Sequence, residues 1–248
     1  MQFIKEFLER EKRRKGILLN EFPNGRKYIG DNDTNTQKTM HQYFKPLDDV
    51  AIDKLQHDVN NAQRANYIFS NWYRDFFKIT NGLNVFFGSI NFYGEQTPMI
   101  NHSIYGYTEA FLERDNPNWM APYNLRFTRS ARFDINAQNR WLTIGSYGQD
   151  GAQIIYDYKK DKIVAMYVLP VVTSIKQLRK LMESDYEQMI FAEWPDFKTF
   201  FISETERLSK IFEPYPNIEY VNHGNIKGSV DHVCLKKTLP KGHRDYIE

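Results

Sequence analysis

The amino-acid sequence predicts an α+β fold: a single domain with a mainly antiparallel, twisted sheet that forms a meander and is flanked by amphipathic helices. Before residue 80 apolar side chains recur at helical spacing, and just after it they alternate, so the period changes from 3.6 towards 2. Between residues 141 and 169 three short apolar segments follow one another across polar turns, as antiparallel strands do. An aromatic amphipathic segment near residue 200 provides a helix that can cover the sheet.

The first third of the chain combines helices with loops. The N-terminal segment has helical spacing at Ile4, Phe7, Leu8 and Glu11. Residues 16–46 are rich in Asn, Asp, Gly and Thr, and we expect loops there with a short strand around residues 28–29. Asp48 or Asp49 then caps a helix. The apolar face of this helix consists of Leu55, Val59 and Ala62.

A helix over residues 66–80 runs into a glycine turn and then a strand. One apolar stripe on this helix consists of Ile68, Trp72, Phe76 and Ile79. Gly82 supplies a left-handed residue of the kind that commonly ends a helix. Residues 85–93 then alternate, which predicts one continuous strand.

Three strands of the meander are expected over residues 141–144, 153–158 and 163–169, with residues 159–162 as a polar turn. Residues 145–148, Gly-Ser-Tyr-Gly, form a tight β-turn in this prediction, because the serine lacks the spacing of a nucleophile elbow.

Two helices are expected to follow the meander. Thr173 or Ser174 caps the first, whose apolar residues are Ile175, Leu178, Leu181 and Met182. The second begins at Pro195, a favoured residue of the first helical turn. One face of it consists of Phe197, Phe200, Phe201, Leu208, Ile211 and Phe212. The polar residues 217–248 form an extension that either packs back on the domain or stays mobile.

Three blocks in this order carry a family resemblance. The first is an aromatic helix, an Asn-Gly turn and a strand that closes on Tyr-Gly: Tyr73, Phe76, Phe77, Thr80, Asn81, Gly82, Tyr93 and Gly94. The second is a glycine-interrupted strand pair: Trp141, Leu142, Ile144, Gly145, Gly148, Gly151, Ile155, Tyr156 and Asp157. The third is the terminal helix with Phe197, Phe200 and Phe201. With these blocks the chain resembles the SUKH superfamily, which includes fungal cell-wall-assembly regulators and bacterial immunity proteins.

The resemblance implies three regions and a function. Residues 1–44 are an N-terminal helix and loop extension, residues 45–213 the SUKH-like α+β domain, and residues 214–248 a polar C-terminal extension. It also implies a non-catalytic protein-binding module, most often an immunity protein that binds and blocks a secreted toxin's catalytic domain. A regulatory scaffold of the same fold is the alternative within this class.

Composition restricts the partners. With 33 basic and 31 acidic side chains the net charge is +2, which gives no general attraction to nucleic acid or to a membrane surface. The lone Cys234 cannot form an internal disulfide and favours a reducing compartment. No signal-peptide core and no run long enough to span a bilayer is visible, so we expect a cytoplasmic protein.

No catalytic motif and no cofactor is predicted. Asp31, Asp33 and Asn35 match the start of a calcium loop, but Thr36 stands where the loop needs glycine and Gln42 where it needs a bidentate glutamate. Zinc-capable side chains in the tail do not fit the spacing of a standard finger; they are His223, His232, Cys234 and His243.

A hydrolase that uses His57 and Asp58, or His102, is the remaining enzyme alternative. Neighbours on a helix point in different directions, which argues against a His57–Asp58 dyad.

Aromatic residues in predicted loops and turns are the first candidates for a partner-binding face, because Tyr and Trp offer stiff contact area with a polar tip. Together with two polar neighbours they are Tyr105, Tyr107, Trp119, Tyr123, Tyr147, Gln149 and Asp150.

Overall fold

A computed structural model describes most of the predicted sheet and its helices. The described residues are 1–13, 19–22, 41–63, 66–86, 89–94, 140–147, 152–167, 186–213, 219–221, 225–227 and 238–246. The helices are α1 (Gln2–Arg13), α2 (Asp49–Gln63), α3 (Asn71–Phe77) and α4 (Phe197–Phe212), with a 3₁₀ turn at Tyr186–Met189. The strands are β1 (Leu19–Phe22), β2 (His41–Phe44), β3 (Leu83–Val85), β4 (Ile90–Phe92), β5 (Trp141–Tyr147), β6 (Gln153–Asp157), β7 (Lys162–Met166), β8 (Ile190–Trp194), β9 (Glu219–Val221) and β10 (Asn225–Lys227).

The sheet confirms the predicted α+β fold and its antiparallel meander. Strands β1 to β8 are neighbours in chain order, and each pair from β2–β3 to β7–β8 is antiparallel. Only β1 and β2 of this sheet run parallel. The polar turn between β6 and β7 is confirmed, with Asp161 at φ 48°. Strands β9 and β10 form a separate hairpin.

The prediction of one strand over residues 85–93 is wrong. The segment is a hairpin, in which Val85 pairs with Ile90 and Leu83 with Phe92. Phe86 takes the left-handed φ of 51°, which bends the chain at the end of β3. The amide and the hydroxyl of Ser89 both donate to the Phe86 carbonyl, at 3.0 and 2.7 Å, and fasten the turn.

The helix predicted over residues 66–80 is shorter, because polar side chains of α2 hold the chain before it. Asn60 accepts from the Tyr67 amide at 2.7 Å and donates to the Tyr67 carbonyl at 2.9 Å. Gln56 accepts from the Phe69 amide at 2.7 Å. These bonds satisfy the backbone without helical pairing. Ile68, assigned to the apolar stripe, is therefore 78% exposed.

The N-terminal ends of α2 and α4 have aspartate caps. Asp48 accepts from the Ala51 amide at 2.8 Å, which confirms one of the two caps predicted for α2. Asp196 accepts from the Thr199 amide at 2.7 Å, so Pro195 precedes α4 instead of beginning it.

The four helices of the described part of the chain contribute to one hydrophobic core, which contains most of the aromatic residues on the predicted apolar faces of α3 and α4. Phe92 of β4 lies at its centre, with ring centroids 5.6 to 5.9 Å from those of Phe76, Phe197, Phe200 and Phe201. Helix α1 joins the same core through Ile4, Phe7 and Leu8. The first helix is thus part of the same core as the helices that follow it.

The middle of the sheet is buried on both faces. Every residue of β5 is buried, although its side chains alternate between the two sides. A second apolar cluster consists of Trp141, Ile155, Val164 and Met166. Buried polar side chains also stand in register across three strands: Asn84 pairs with Asn91, and Asn91 with Ser146.

The described end of the tail packs back on the domain. Leu239 and His243 are buried, and the His243 ring lies 4.9 Å from Tyr167 and 5.0 Å from Phe191. The Arg244 amide donates to the Tyr167 hydroxyl at 2.7 Å. Residues 238–246 therefore share the packing of the sheet's last two strands.

A fully buried acid and imidazole join α1 to the sheet. Nε2 of His41 lies 3.3 Å from Oε2 of Glu11, and neither side chain is exposed. The His41 Nδ1 atom accepts from the Phe86 amide at 3.3 Å, so Nε2 carries the ring proton and faces the carboxylate. Arg10 pairs with the other Glu11 oxygen at 3.0 Å.

We expect Glu11→Leu to lower the free energy of unfolding by about 3 kcal/mol, because it removes the buried carboxylate that lies 3.3 Å from His41 Nε2. Glu11→Gln keeps an acceptor oxygen and should cost about 1 kcal/mol. Urea unfolding followed by circular dichroism measures both values. Equal losses for the two variants would show that a polar oxygen facing His41 does not stabilise the fold.

The two ends of the first family block touch each other. A Cβ atom at Gly94 would lie 2.3 Å from the Asn81 carbonyl oxygen, and Gly82 has the left-handed φ of 97°. The Asn-Gly turn and the Tyr-Gly end thus meet where the backbone leaves no room for a side chain.

Gly94→Ala should therefore destabilise the fold by about 2 kcal/mol through overpacking against backbone atoms. Val50→Ala is the control, because Val50 is 78% exposed. Thermal unfolding of the two variants beside wild type provides the comparison. An unchanged midpoint for Gly94→Ala would show that the close approach relaxes without cost.

Candidate functional site

Six of the seven residues predicted to form a partner-binding face lie outside the described residues. They are Tyr105, Tyr107, Trp119, Tyr123, Gln149 and Asp150. The aromatic face predicted from sequence therefore stays a prediction for these positions.

For Tyr147, the seventh residue, the expected position in a turn is wrong. It lies in β5 instead of a turn, and its side chain is 0% exposed. The hydroxyl donates to Oε2 of Glu204 at 3.1 Å, and burial raises the pKa of Tyr147 well above its ordinary value. Arg207 holds Glu204 at 2.7 and 3.2 Å and donates to the Thr238 carbonyl at 2.9 Å. Tyr147 thus belongs to a buried network that fastens the tail to α4.

The histidine pair considered for a hydrolase, His57 and Asp58, lies on the surface. His57 and Asp58 do approach, at 3.4 Å, which corrects the expectation that they point apart. The pair lies on the surface of α2, with the imidazole 71% exposed, and so has no desolvated pocket. His102 lies outside the described residues.

Of the side chains considered as metal ligands, His243 is the one that lies within the described residues, and it is buried between aromatic rings. The other candidates lie outside it, namely Asp31, Asp33, Asn35, His223, His232 and Cys234. Among the residues that the structure describes, no three His, Cys, Asp or Glu side chains gather to hold a metal ion.

A charged network lies beside the β6–β7 turn. Arg140 pairs with the fully buried Asp157 at 3.0 Å and with Glu187 at 2.6 Å, and its guanidinium lies 4.6 Å from the Trp141 ring centroid. Lys160 contacts Glu187 at 2.9 Å. Hydrogen bonds from Arg140 and Lys160 lower the pKa of Glu187 to about 2. Each charge in this network therefore has an opposite partner within it.

An open groove of about 720 Å³ lies where α1, α3, the β6–β7 turn and the start of α4 meet. Its aromatic walls are Phe3, Trp72, Tyr156 and Phe197. The Trp72 ring stacks on Phe197 at 4.6 Å and meets Tyr156 edge to face at 5.1 Å. Tyr156 and Phe197 are buried, whereas Trp72 and Phe3 are only partly covered. The groove thus offers apolar ring surface to an incoming group.

Carboxylates outnumber lysines around the groove. The carboxylates are Glu6, Asp75, Asp161 and Asp196, and the lysines are Lys162 and Lys198. Two of the four carboxylates have internal roles: Asp161 accepts from the Tyr156 hydroxyl at 2.6 Å, and Asp196 caps α4. Lys162 pairs with Glu193. Within the described part of the chain, Glu6 and Asp75 are exposed and have no ion-pair partner.

The groove is suited to binding. Its described lining contains no serine, threonine, cysteine or histidine. Partly covered rings with charges at the rim are the usual composition of a protein contact site. The sequence prediction named Trp72 and Phe197 as helix residues but placed them only in the core. Their neighbours Asp75 and Asp196 were the available signal of a polar rim.

The pKa of Glu187 gives a pH prediction. Since this pKa falls from 4.5 to about 2 on folding, the carboxylate stabilises the fold above pH 4.5. That contribution is lost as the pH falls from 4.5 towards 2. Glu187→Gln should cost about 0.5 kcal/mol or less at pH 7, because solvent screens a side chain that is 40% exposed.

Stability measured by urea unfolding at several pH values should fall less steeply below pH 4.5 in Glu187→Gln than in wild type. Glu213→Gln, at an exposed position on the end of α4, is the control. If the stability of wild type and of Glu187→Gln changed with pH in the same way, the lowered pKa of Glu187 would be contradicted.

Three comparisons with known proteins found no match for this chain. No protein-family model, no curated protein and no solved structure matches it. Among the described residues no helix has both the length and the apolar content that crossing a membrane requires.

Proposed function

We propose that this chain is a non-catalytic protein-binding module, and that it acts in the cytoplasm as an immunity protein that binds and blocks a toxin's catalytic domain. The groove between α1, α3 and α4 is the observation that carries the proposal, because it combines partly covered aromatic walls with a charged rim. The three sequence blocks that resemble the SUKH superfamily support the immunity role.

The proposed mechanism is occlusion. A few side chains of the partner fill the groove against Trp72 and Phe3, and the surrounding polar surface excludes water from that contact. Charged rim residues set the register and the association rate more than the affinity. Because the groove walls belong to helices packed on the sheet, the module binds with little change of its own backbone.

A steric block of the groove tests the proposal. Gln2 is an exposed residue of the groove lining, so Gln2→Trp puts a large ring into it without disturbing the core. Lys5→Trp, three residues along the exposed side of α1 and outside the lining, is the matched control. Each protein is expressed in its host with a C-terminal tag, purified at low salt and analysed by quantitative mass spectrometry.

We expect one protein to be recovered at a 1:1 ratio with wild type and Lys5→Trp, and at least tenfold less with Gln2→Trp. That protein, expressed alone, should arrest growth, and co-expression of this chain should restore it. Recovery of no stoichiometric protein with wild type would overturn the binding module. A stoichiometric partner without toxicity would overturn immunity and favour a regulatory scaffold of the same fold.

A further inference from the structure

We propose that the groove binds an arginine side chain that the partner presents. This inference rests on the proposed function, because it assumes that the partner is a protein. It adds which side chain of that partner enters the groove. Trp72 provides the aromatic surface, and Glu6 and Asp75 provide the negative charge.

The charge around the groove selects a cation. Glu6 and Asp75 are exposed and have no ion-pair partner within the described residues. Lys162 is already paired with Glu193, so Lys198 is the one lysine of the described lining left to face them, and negative charge is in excess. An apolar or anionic occupant would cover these carboxylates without compensating them, which costs free energy. A cationic occupant compensates these carboxylates, because its positive charge takes the place of the water that they lose on binding.

The aromatic walls favour a guanidinium among cations. A planar guanidinium stacks on an aromatic ring and keeps its N–H groups free at the edge for carboxylates, whereas an ammonium is a compact, strongly hydrated charge. A groove that combines a Trp ring with two carboxylates can satisfy both parts of an arginine at once.

The chain contains an internal example of this arrangement. Arg140 lies 4.6 Å from the Trp141 ring centroid and pairs with Asp157 at 3.0 Å and Glu187 at 2.6 Å. The groove lining contains groups of the same kinds, a tryptophan and the exposed carboxylates Glu6 and Asp75, but its described part contains no arginine. We infer that the partner supplies it.

The test uses two short peptides and the full chain. Acetyl-Gly-Arg-Gly-amide is titrated into ¹⁵N-labelled protein, and acetyl-Gly-citrulline-Gly-amide, which has the same shape without the charge, is the matched probe. The readout is the indole N–H signal of Trp72, assigned with Trp72→Phe. We expect a saturable shift with the arginine peptide and at least tenfold weaker binding of the citrulline peptide.

Charge variants complete the test. Glu6→Gln combined with Asp75→Asn should weaken the arginine peptide at least tenfold, because both substitutions keep the shape and remove the charge. Glu9→Gln, at an exposed position of α1 outside the groove, should leave binding unchanged. Equal binding of both peptides, equal binding by the charge variant, or no shift of the Trp72 signal would each overturn the arginine site.

The failure of this inference and the failure of the proposed function are distinguishable. A 1:1 partner that is lost with Gln2→Trp, together with no arginine binding, would refute the arginine site and keep the binding module. Saturable arginine binding with no stoichiometric partner would support the site and refute the module.

Discussion

Contacts among aromatic rings around Phe92 hold the helices on the sheet, and the groove depends on them. Phe197 is the ring that connects the two, since it lies 5.6 Å from Phe92 in the core and 4.6 Å from Trp72 in the groove wall. Phe76 contacts both Phe92 and Phe197 from α3. Such pairs contribute about 1 kcal/mol each beyond the burial of their area. Moving any one of these rings would therefore displace the wall of the groove.

The spacing of apolar and capping residues predicted those parts of the fold whose conformation is decided by residues close in sequence. The meander, the cap at Asp48 and the aromatic face of α4 follow from residues close in sequence. The prediction failed where a distant contact decides the conformation. Gly145 was assigned to a turn, yet a Cβ there would lie 2.3 Å from the Asn91 carbonyl oxygen, so the glycine lets β4 and β5 approach. Strand β8 was missed because its half-covered residues do not alternate clearly.

The groove could not be predicted from sequence because no local segment contains it. Its lining comes from four stretches, around residues 1–6, 72–75, 156–163 and 195–198, which only the folded sheet brings together. Each stretch alone has an ordinary helix or turn pattern. Trp72 was not predicted to be exposed, because its helical spacing with Ile68 and Phe76 indicates the apolar face of a helix. A ring can serve both roles when it stands at the margin of the core.

The burial of the middle strands on both faces has a consequence for motion. Backbone amides of β4, β5 and β6 can exchange with solvent only when packing is lost on two sides, so these strands belong to the last unit of the molecule to open. The groove stands partly on this unit, because its Tyr156 wall belongs to β6, while its Phe3 and Trp72 walls come from α1 and α3. The wall that Tyr156 provides therefore keeps its position for as long as these strands keep their hydrogen bonds.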